Sequence, residues 1–356
     1  MPNAILTAAI DALASRRDLD ADETAEVLAE IMHGEVSETQ IAAFLIALRT
    51  KGETIEELAG LARTMRALAA HVPSAREDLL DTAGTGGGRS TFNVSTTAAL
   101  IAAGAGCAVA KHGNRSATSR SGSADVLEAL GARIDLAPDA VGACIDEAGF
   151  GFMFAPAHHQ ATRFVVPVRR ELAVRTIFNL LGPLTNPAGA RRQLIGVSDA
   201  RFLDTMAGAL AQLGVDRALL VSSEDGLDEI SVSAPTRVVE VNGEEIRSYV
   251  LSPEEVGVER YAGSASEQGW GGGTPQENAA VTRAILDGAA PGSERPPGEA
   301  LAVINAGAAV YAAGRADTIR EGVEAARSAL GEGHGAAALE RYIAASRRHA
   351  PAEALR

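Results

Sequence analysis

The chain is poor in the residues that mark several large protein classes. Only two of its 356 residues are cysteine, Cys107 and Cys144, and both lie in apolar surroundings. That excludes a disulfide framework and a cysteine metal motif, and it fits a reducing compartment. Aromatic residues make up 4% of the chain, so the core must be filled by aliphatic side chains in close-packed helices. Cations are short, with 32 Lys and Arg against 46 Asp and Glu and a net charge of −14. This balance argues against nucleic acid and membrane surfaces as partners, since both call for basic faces. No apolar stretch approaches the roughly 20 residues that span a bilayer. The segment Met1–Asp20 lacks a basic-then-apolar signal, so a cytoplasmic protein is the expectation.

What the chain has is one organising stretch, Asp81–Leu130. A short apolar segment runs into glycines 84, 86, 87 and 88 and then into a helix-like run. Strand, glycine loop and helix N-terminus in that order form a general anion site, because glycines let backbone N–H groups approach the ligand. The loop is not a P-loop, since no Lys-Ser/Thr pair follows, and the dinucleotide spacing fails as well. A second polar cluster, Lys111-His112-Gly113-Asn114-Arg115, follows the next apolar segment and reads as a ligand loop supplying cations. Asn93, Ser95 and Thr96 follow the first loop, where Ser95 is placed to cap a helix.

Residues 1–70 read as a small all-helical unit of about four helices, with acidic residues near their starts. From residue 79, short apolar segments alternate with helical ones: 79–82, 95–105, 107–110, 122–130, 138–148 and 150–154. That alternation predicts a larger α/β domain with a mainly parallel central sheet flanked by helices, its ligand loops at the carboxyl ends of the strands. Residues 162–181 read as helical again and end at Gly182-Pro183; helices from about 162–190 are expected to rejoin the N-terminal unit. The α/β domain is thus expected to comprise residues 75–160 and 191–350. Asn242-Gly243 between two apolar-alternating segments signals a hairpin, and 262–275 reads as a surface loop.

Glu224, Asp225, Asp228 and Glu229 place four carboxylates just after an apolar strand. Hard oxygen donors of this kind suit Mg²⁺, which binds one or two carboxylates plus substrate phosphates. Arg163, Arg169, Arg170 and Arg175 lie on or beside one expected helix, and one of them suffices to clamp a substrate carboxylate. From these residues alone the site takes an anion of unspecified kind.

Taken together, the strings resemble anthranilate phosphoribosyltransferases of tryptophan biosynthesis. The matches are GTGG at 84–87, NVST at 93–96, KHGNR at 111–115, SGSADVLEALG at 121–131, VRTIFNLLGPLTNPA at 174–188 and DGLDE at 225–229. Pyrimidine nucleoside phosphorylases share the fold and a glycine loop but lack these strings, and a nucleic-acid-binding relative is disfavoured by the charge. The resemblance implies a helical domain joined to an α/β domain, and a homodimer through the helical part. It also implies transfer of the phosphoribosyl group from 5-phosphoribosyl 1-diphosphate (PRPP) to anthranilate, with Mg²⁺ as cofactor. Carried over residue by residue, Gly84, Thr85, Gly86 and Gly87 hold the diphosphate, while Asn93, Ser95, Thr96, Lys111 and Ser123 contact PRPP. Ser95, Asp228 and Glu229 match the metal ligands. Gly84, His112, Asn114, His159 and Arg169 face anthranilate, with Asn114, His112 and Arg169 positioning it and no residue assigned as acid or base. Two positions depart from the family pattern: Gly88 stands where an Asp is usual, in a loop about one residue shorter, and His159 is followed by Gln160-Ala161-Thr162 rather than Pro-Ala-Met.

Overall fold

Four helices open the chain: α1 (Ala4–Ala14), α2 (Ala21–His33), α3 (Glu38–Lys51) and α4 (Ile55–Leu68). They belong to a computed structural model that describes residues 2–116, 120–263, 271–288 and 297–351. Side chains that accept otherwise orphaned N–H groups set their starts. Asp20 and Thr54 form capping boxes with Glu23 and Glu57, and Ser37 caps α3; each cap contributes about 1 kcal/mol. The apolar faces, with Leu28, Ile31, Phe44, Leu45 and Leu58, close onto one core.

From residue 79 the chain alternates: β1 (Leu79–Gly84), α5 (Val94–Gly104), β2 (Ala108–Gly113), α6 (Ser123–Leu130), α7 (Pro138–Ala148) and β3 (Phe150–Phe154). Short helices α8 (Ala155–His158), α9 (Val166–Leu172) and α10 (Phe178–Leu181) then carry it back against α3 and α4. There follow β4 (Arg192–Gly196), α11 (Leu203–Gln212), β5 (Arg217–Ser223), β6 (Thr236–Asn242) and β7 (Glu245–Leu251). Helices α12 (Pro275–Leu286), α13 (Pro297–Ala312), α14 (Ile319–Gly331) and α15 (His334–Arg348) complete the described chain.

Among the described residues the strands form one seven-stranded sheet of order β3-β2-β1-β4-β5-β6-β7. It is parallel from β3 to β5 and antiparallel from β5 to β7, matching the expected mainly parallel α/β architecture. Successive side chains point to opposite faces. Leu194, Leu219 and Val238 enter the core shared with α5 and α13, while Ile195, Leu220 and Val239 enter the core shared with α11 and the N-terminal helices. The helical unit is therefore continuous, through α11, with one face of the sheet. Strand order reverses between β1 and β4, which opens a ligand crevice at their carboxyl ends.

Two expectations from the sequence shift. Residues 162–181 are not one helical stretch: a 3-10 turn at Gln160–Phe164 precedes α9, and Ala173 then adopts φ 51°, in the left-handed region, before α10. Apolar spacing survives that break because both pieces pack on the N-terminal helices. The hairpin turns at Gly243-Glu244 rather than Asn242-Gly243, since Asn242 still pairs with Glu245 and Gly243 takes φ 59°. Part of the expected loop 262–275, residues 264–270, lies outside the described residues. No helix among the described residues is long and apolar enough to cross a membrane.

Candidate active site

The carboxyl ends of β1, β2, β4 and β5 converge on the crevice. Gly84 ends β1, and the loop after it is tied to the end of β4: Thr85 N–H donates to Gly196 O at 2.8 Å, and Ser198 N–H donates to Thr85 Oγ1 at 3.0 Å. Gly86 and Gly87 take φ 66° and 83°, which side-chain-bearing residues rarely adopt. Beyond them the loop is fastened to the turn after β5. Arg89 N–H donates to Gly226 O at 2.9 Å, and Arg89 Nη1 donates to Asp225 O at 3.1 Å.

That turn carries Asp228 and Glu229 into the crevice beside Lys111 and Ser95. Glu229 is pushed up to about 8, first by burial and then by repulsion from Asp228; Lys111 and the Ser95 N–H oppose the shift. Asp228 is also raised by burial, against hydrogen bonding from backbone N–H groups, that of Gly86 among them, and attraction to Arg175. Lys111 is buried, and its Nζ donates to Thr82 O, to Thr82 Oγ1 at 3.2 Å and to Ser95 Oγ at 3.3 Å. Burial pulls it down to about 8, with Asp81 and Glu229 opposing.

Two carboxylates and one hydroxyl are an incomplete metal site by themselves. Among the described residues no cluster of three or more His, Cys, Asp or Glu forms a fuller one. The set fits Mg²⁺, which keeps waters and completes its octahedron with phosphate oxygens. The other two carboxylates of the acidic run do not join it. Glu224 is exposed, and Asp225 is engaged by the hydroxyls of Ser223 and Ser231.

The structure gives Gly88 a steric reason. A Cβ there would stand 2.4 Å from Asp228 Oδ1 and 2.9 Å from Asp228 N, so the shorter loop uses the missing side chain to close on Asp228. Gly88→Asp, which supplies the carboxylate the resemblance leads one to expect, should therefore lower kcat/KM on the order of tenfold through overpacking. Steady-state kinetics checks this, and unchanged activity would show that the loop moves aside freely.

Lys111, His112 and Gly113 are the last residues of β2 itself rather than a loop, which is why Lys111 and His112 are buried. Their placement depends on Asp81, at the start of the same 81–130 stretch. The buried Asp81 carboxylate accepts from His112 N–H at 3.0 Å and from Asn186 Nδ2 at 2.8 Å, and Asn186 Nδ2 also donates to Ala110 O at 2.8 Å. Burial raises Asp81 to about 6. Asp81 in an apolar run was the available signal, with nothing to name Asn186 as its partner.

Three buried imidazoles gather at the end of β2 and just beyond β3. His112 Nδ1 lies 3.2 Å from Gly182 O, His158 Nδ1 lies 3.0 Å from Phe154 O, and the rings of His112 and His159 are centred 5.0 Å apart. The buried Nε2 atoms of all three have no hydrogen-bond partner among the described residues. Burial holds His112 down to about 3 and His159 to about 4, so both are neutral at working pH. With the proton on Nδ1, each Nε2 is an acceptor. In the unfolded chain these groups take protons near 6.5, whereas the folded ones do so only at much lower pH. Their contribution to stability is therefore lost as pH falls below 6.5. Activity should show no inflection near pH 6.5 from imidazole protonation; an inflection in kcat/KM that disappears in His112→Asn would contradict this.

Arg169, on α9, is half-buried, with its guanidinium 5.4 Å from the centre of the Phe178 ring and its pKa lowered by burial. It forms no ion pair with a described carboxylate. Asn93 takes the N-cap position of α5 without capping it; its Oδ1 accepts from Ser121 Oγ at 3.0 Å and from Asn278 Nδ2 at 2.9 Å. Ser95 therefore lies inside the helix rather than at the cap. Thr96 is fully buried with an unpartnered hydroxyl, and Ser123 opens α6 with its Oγ donating to Asn114 O at 3.3 Å. Asn114 itself is exposed and accepts from Arg115 N–H at 2.7 Å. Arg115 turns away from the crevice, paired with Asp125 at 2.7 Å and Glu128 at 2.5 Å.

Comparison with known proteins adds to this geometry. The helical-bundle domain of a glycosyl transferase family matches residues 7–69, and its α/β domain matches residues 76–337. The chain is 51% identical to the anthranilate phosphoribosyltransferase of Rubrobacter xylanophilus over 345 residues, 97% of this chain and 98% of that one. It is 47% identical to that of Moorella thermoacetica over 341 residues, covering 96% and 98%. The crystal structure of anthranilate phosphoribosyltransferase from Thermus thermophilus superposes with a TM-score of 0.88 at 46% identity, covering 95% of this chain and 99% of that one. That from Saccharomyces cerevisiae, in complex with PRPP and Mg, superposes with a TM-score of 0.87 at 26% identity, covering 97% and 99%.

Proposed function

The chain belongs to the anthranilate phosphoribosyltransferase family, and we propose from that premise how its own residues carry the reaction. The enzyme transfers the 5-phosphoribosyl group from PRPP to the amine of anthranilate, giving N-(5-phosphoribosyl)anthranilate and diphosphate. This is the second step of tryptophan synthesis from chorismate. The observation that supports the assignment of roles is the meeting of Lys111, Ser95, Asp228 and Glu229 beneath a glycine loop at a topological switch point.

The bond that breaks is the glycosidic C–O bond to diphosphate, and the transition state resembles an oxocarbenium ion. Charge grows on the leaving group, so preorganised donors aimed at it lower the barrier most. The loop Gly84, Thr85, Gly86 and Gly87 holds the diphosphate, and the Lys111 ammonium meets that charge. Asn93, Thr96 and Ser123 hold the phosphoribosyl moiety. Ser95, Asp228 and Glu229 would hold Mg²⁺, which when bound neutralises diphosphate charge.

Anthranilate's aromatic amine is neutral at pH 7, so no strong base is required before attack. The Asn114 side chain and the carbonyl at Gly84 accept from its N–H groups and aim the lone pair, with His112 and His159 facing anthranilate. The Arg169 guanidinium takes the carboxylate, and proximity supplies much of the remaining acceleration. A homodimer through the helical unit is part of this proposal, supported by exposed Ile46 and Leu68 on α3 and α4. Cytoplasmic placement is proposed from the two free, buried cysteines. The test follows anthranilate fluorescence with PRPP, with and without Mg²⁺. Mg²⁺-dependent consumption of anthranilate supports the reading, and cleavage of thymidine by phosphate instead would overturn it.

A further inference from the structure

We propose that Arg175 is a positioning residue of the diphosphate site, through which the helical unit sets the shape of the glycine loop. The inference rests on the functional reading above and concerns a residue which that reading leaves without a role.

Arg175 lies in the irregular stretch after Ala173, outside both α9 and α10. Its backbone faces the helical unit, where Arg49 Nη1 of α3 donates to Arg175 O at 2.7 Å. Its side chain crosses to the α/β unit: Nη2 donates to Gly86 O at 2.5 Å, and Nη1 donates to Ser198 Oγ at 3.0 Å. Ser198 Oγ in turn lies 3.2 Å from Thr85 Oγ1. One planar fork thus holds two consecutive loop residues, Thr85 through Ser198 and Gly86 directly. A lysine at this position has a single ammonium and cannot reproduce the fork.

Gly86 is held through its carbonyl, which Arg175 takes. The next residue explains how the guanidinium reaches that carbonyl. A Cβ at Gly87 would stand 1.5 Å from Arg175 Nη2, so glycine there leaves room for the arginine as well as permitting φ 83°. Arg175 also borders a cavity of about 450 Å³ between the two units, with Arg49, Glu53 and Ser198 on its walls. The contact therefore sits where movement of the helical unit reaches the loop.

The experiment uses the full-length enzyme with Arg175→Ala, Arg175→Lys, Gly87→Ala and the Gly87→Ala/Arg175→Ala double variant. KM is measured for each substrate, and Mg-PRPP binding by calorimetry. Arg175→Ala is expected to raise KM and Kd for PRPP on the order of tenfold, as for loss of a charge-assisted hydrogen bond. The KM for anthranilate should stay within about twofold, and Arg175→Lys should recover part of the loss. Gly87→Ala should weaken PRPP binding by a smaller factor in the Arg175→Ala background than alone, since only backbone strain then remains. Arg49→Ala, on the other side of the relay, should shift PRPP affinity in the same direction by less. Equal rises for both substrates, or full additivity of the two variants, would overturn the relay. If wild-type enzyme neither binds nor turns over PRPP, the functional reading fails instead; wild-type binding with an unaffected Arg175→Ala removes the relay alone.

Discussion

Replacing Asp228 with Asn and Glu229 with Gln together is expected to lower kcat/KM on the order of 10³-fold and to remove its dependence on Mg²⁺. Burial makes ionisation of both carboxylates costly, and Glu229 is pushed up to about 8 by burial and then by repulsion from Asp228. Such a pair is poorly suited to a purely structural role, because a dication is what would relieve its repulsion. The amides keep volume and most hydrogen bonding while removing charge. Burial and the Asp228 charge both disfavour the ionised form of Glu229, and Gln removes that charge at nearly the same volume. The melting temperature should therefore move by no more than about 5 °C. A Mg²⁺ titration of turnover, with circular dichroism melts of the same samples, makes the check. Retained Mg²⁺-dependent activity would place the metal elsewhere.

Arg169→Ala is expected to raise KM for anthranilate on the order of 100-fold, the upper end for loss of a charged hydrogen-bond partner, with little change in KM for PRPP. Four arginines compete for this role in the sequence, and the structure separates them. Arg163 is exposed over the Phe164 ring, Arg170 is exposed, and Arg175 is committed to Gly86 and Ser198. Arg169 alone of the four is half-buried, over the Phe178 ring, with no carboxylate partner among the described residues. A desolvated, unpaired guanidinium binds a planar carboxylate strongly because little hydration remains to be lost. Equal loss of both substrates in steady-state kinetics would reject the assignment.

Local pattern carried a great deal of this protein. The strand–glycine loop–helix order at 81–104, the alternation that yields a mainly parallel sheet, and the hairpin near 242 all depend on neighbours close in sequence. Their periodicities and turn chemistry are therefore written in short windows. The acidic pair at 228–229 was visible for the same reason, since it follows a strand that ends at the crevice.

Other features arise only when distant segments meet. Which two of four carboxylates enter the crevice depends on Ser223 and Ser231 engaging Asp225. The removal of Arg115 from the site depends on Asp125 and Glu128. The Asp81–Asn186 bond spans 105 residues of sequence, and nothing near either residue announces it. The helical stretch at 162–181 breaks at Ala173, a residue with no breaker signature, because tertiary packing there outweighs local preference.

Residue types and their order thus determined the fold class and the strings that place the chain in its family. Burial and long-range approach decided the rest: the charge state of Lys111, the histidines and Glu229, and the need for glycine at 88. Desolvation depends on everything that surrounds a group, and a steric gap depends on what stands across it. Both become defined only when the strands and loops have been brought together.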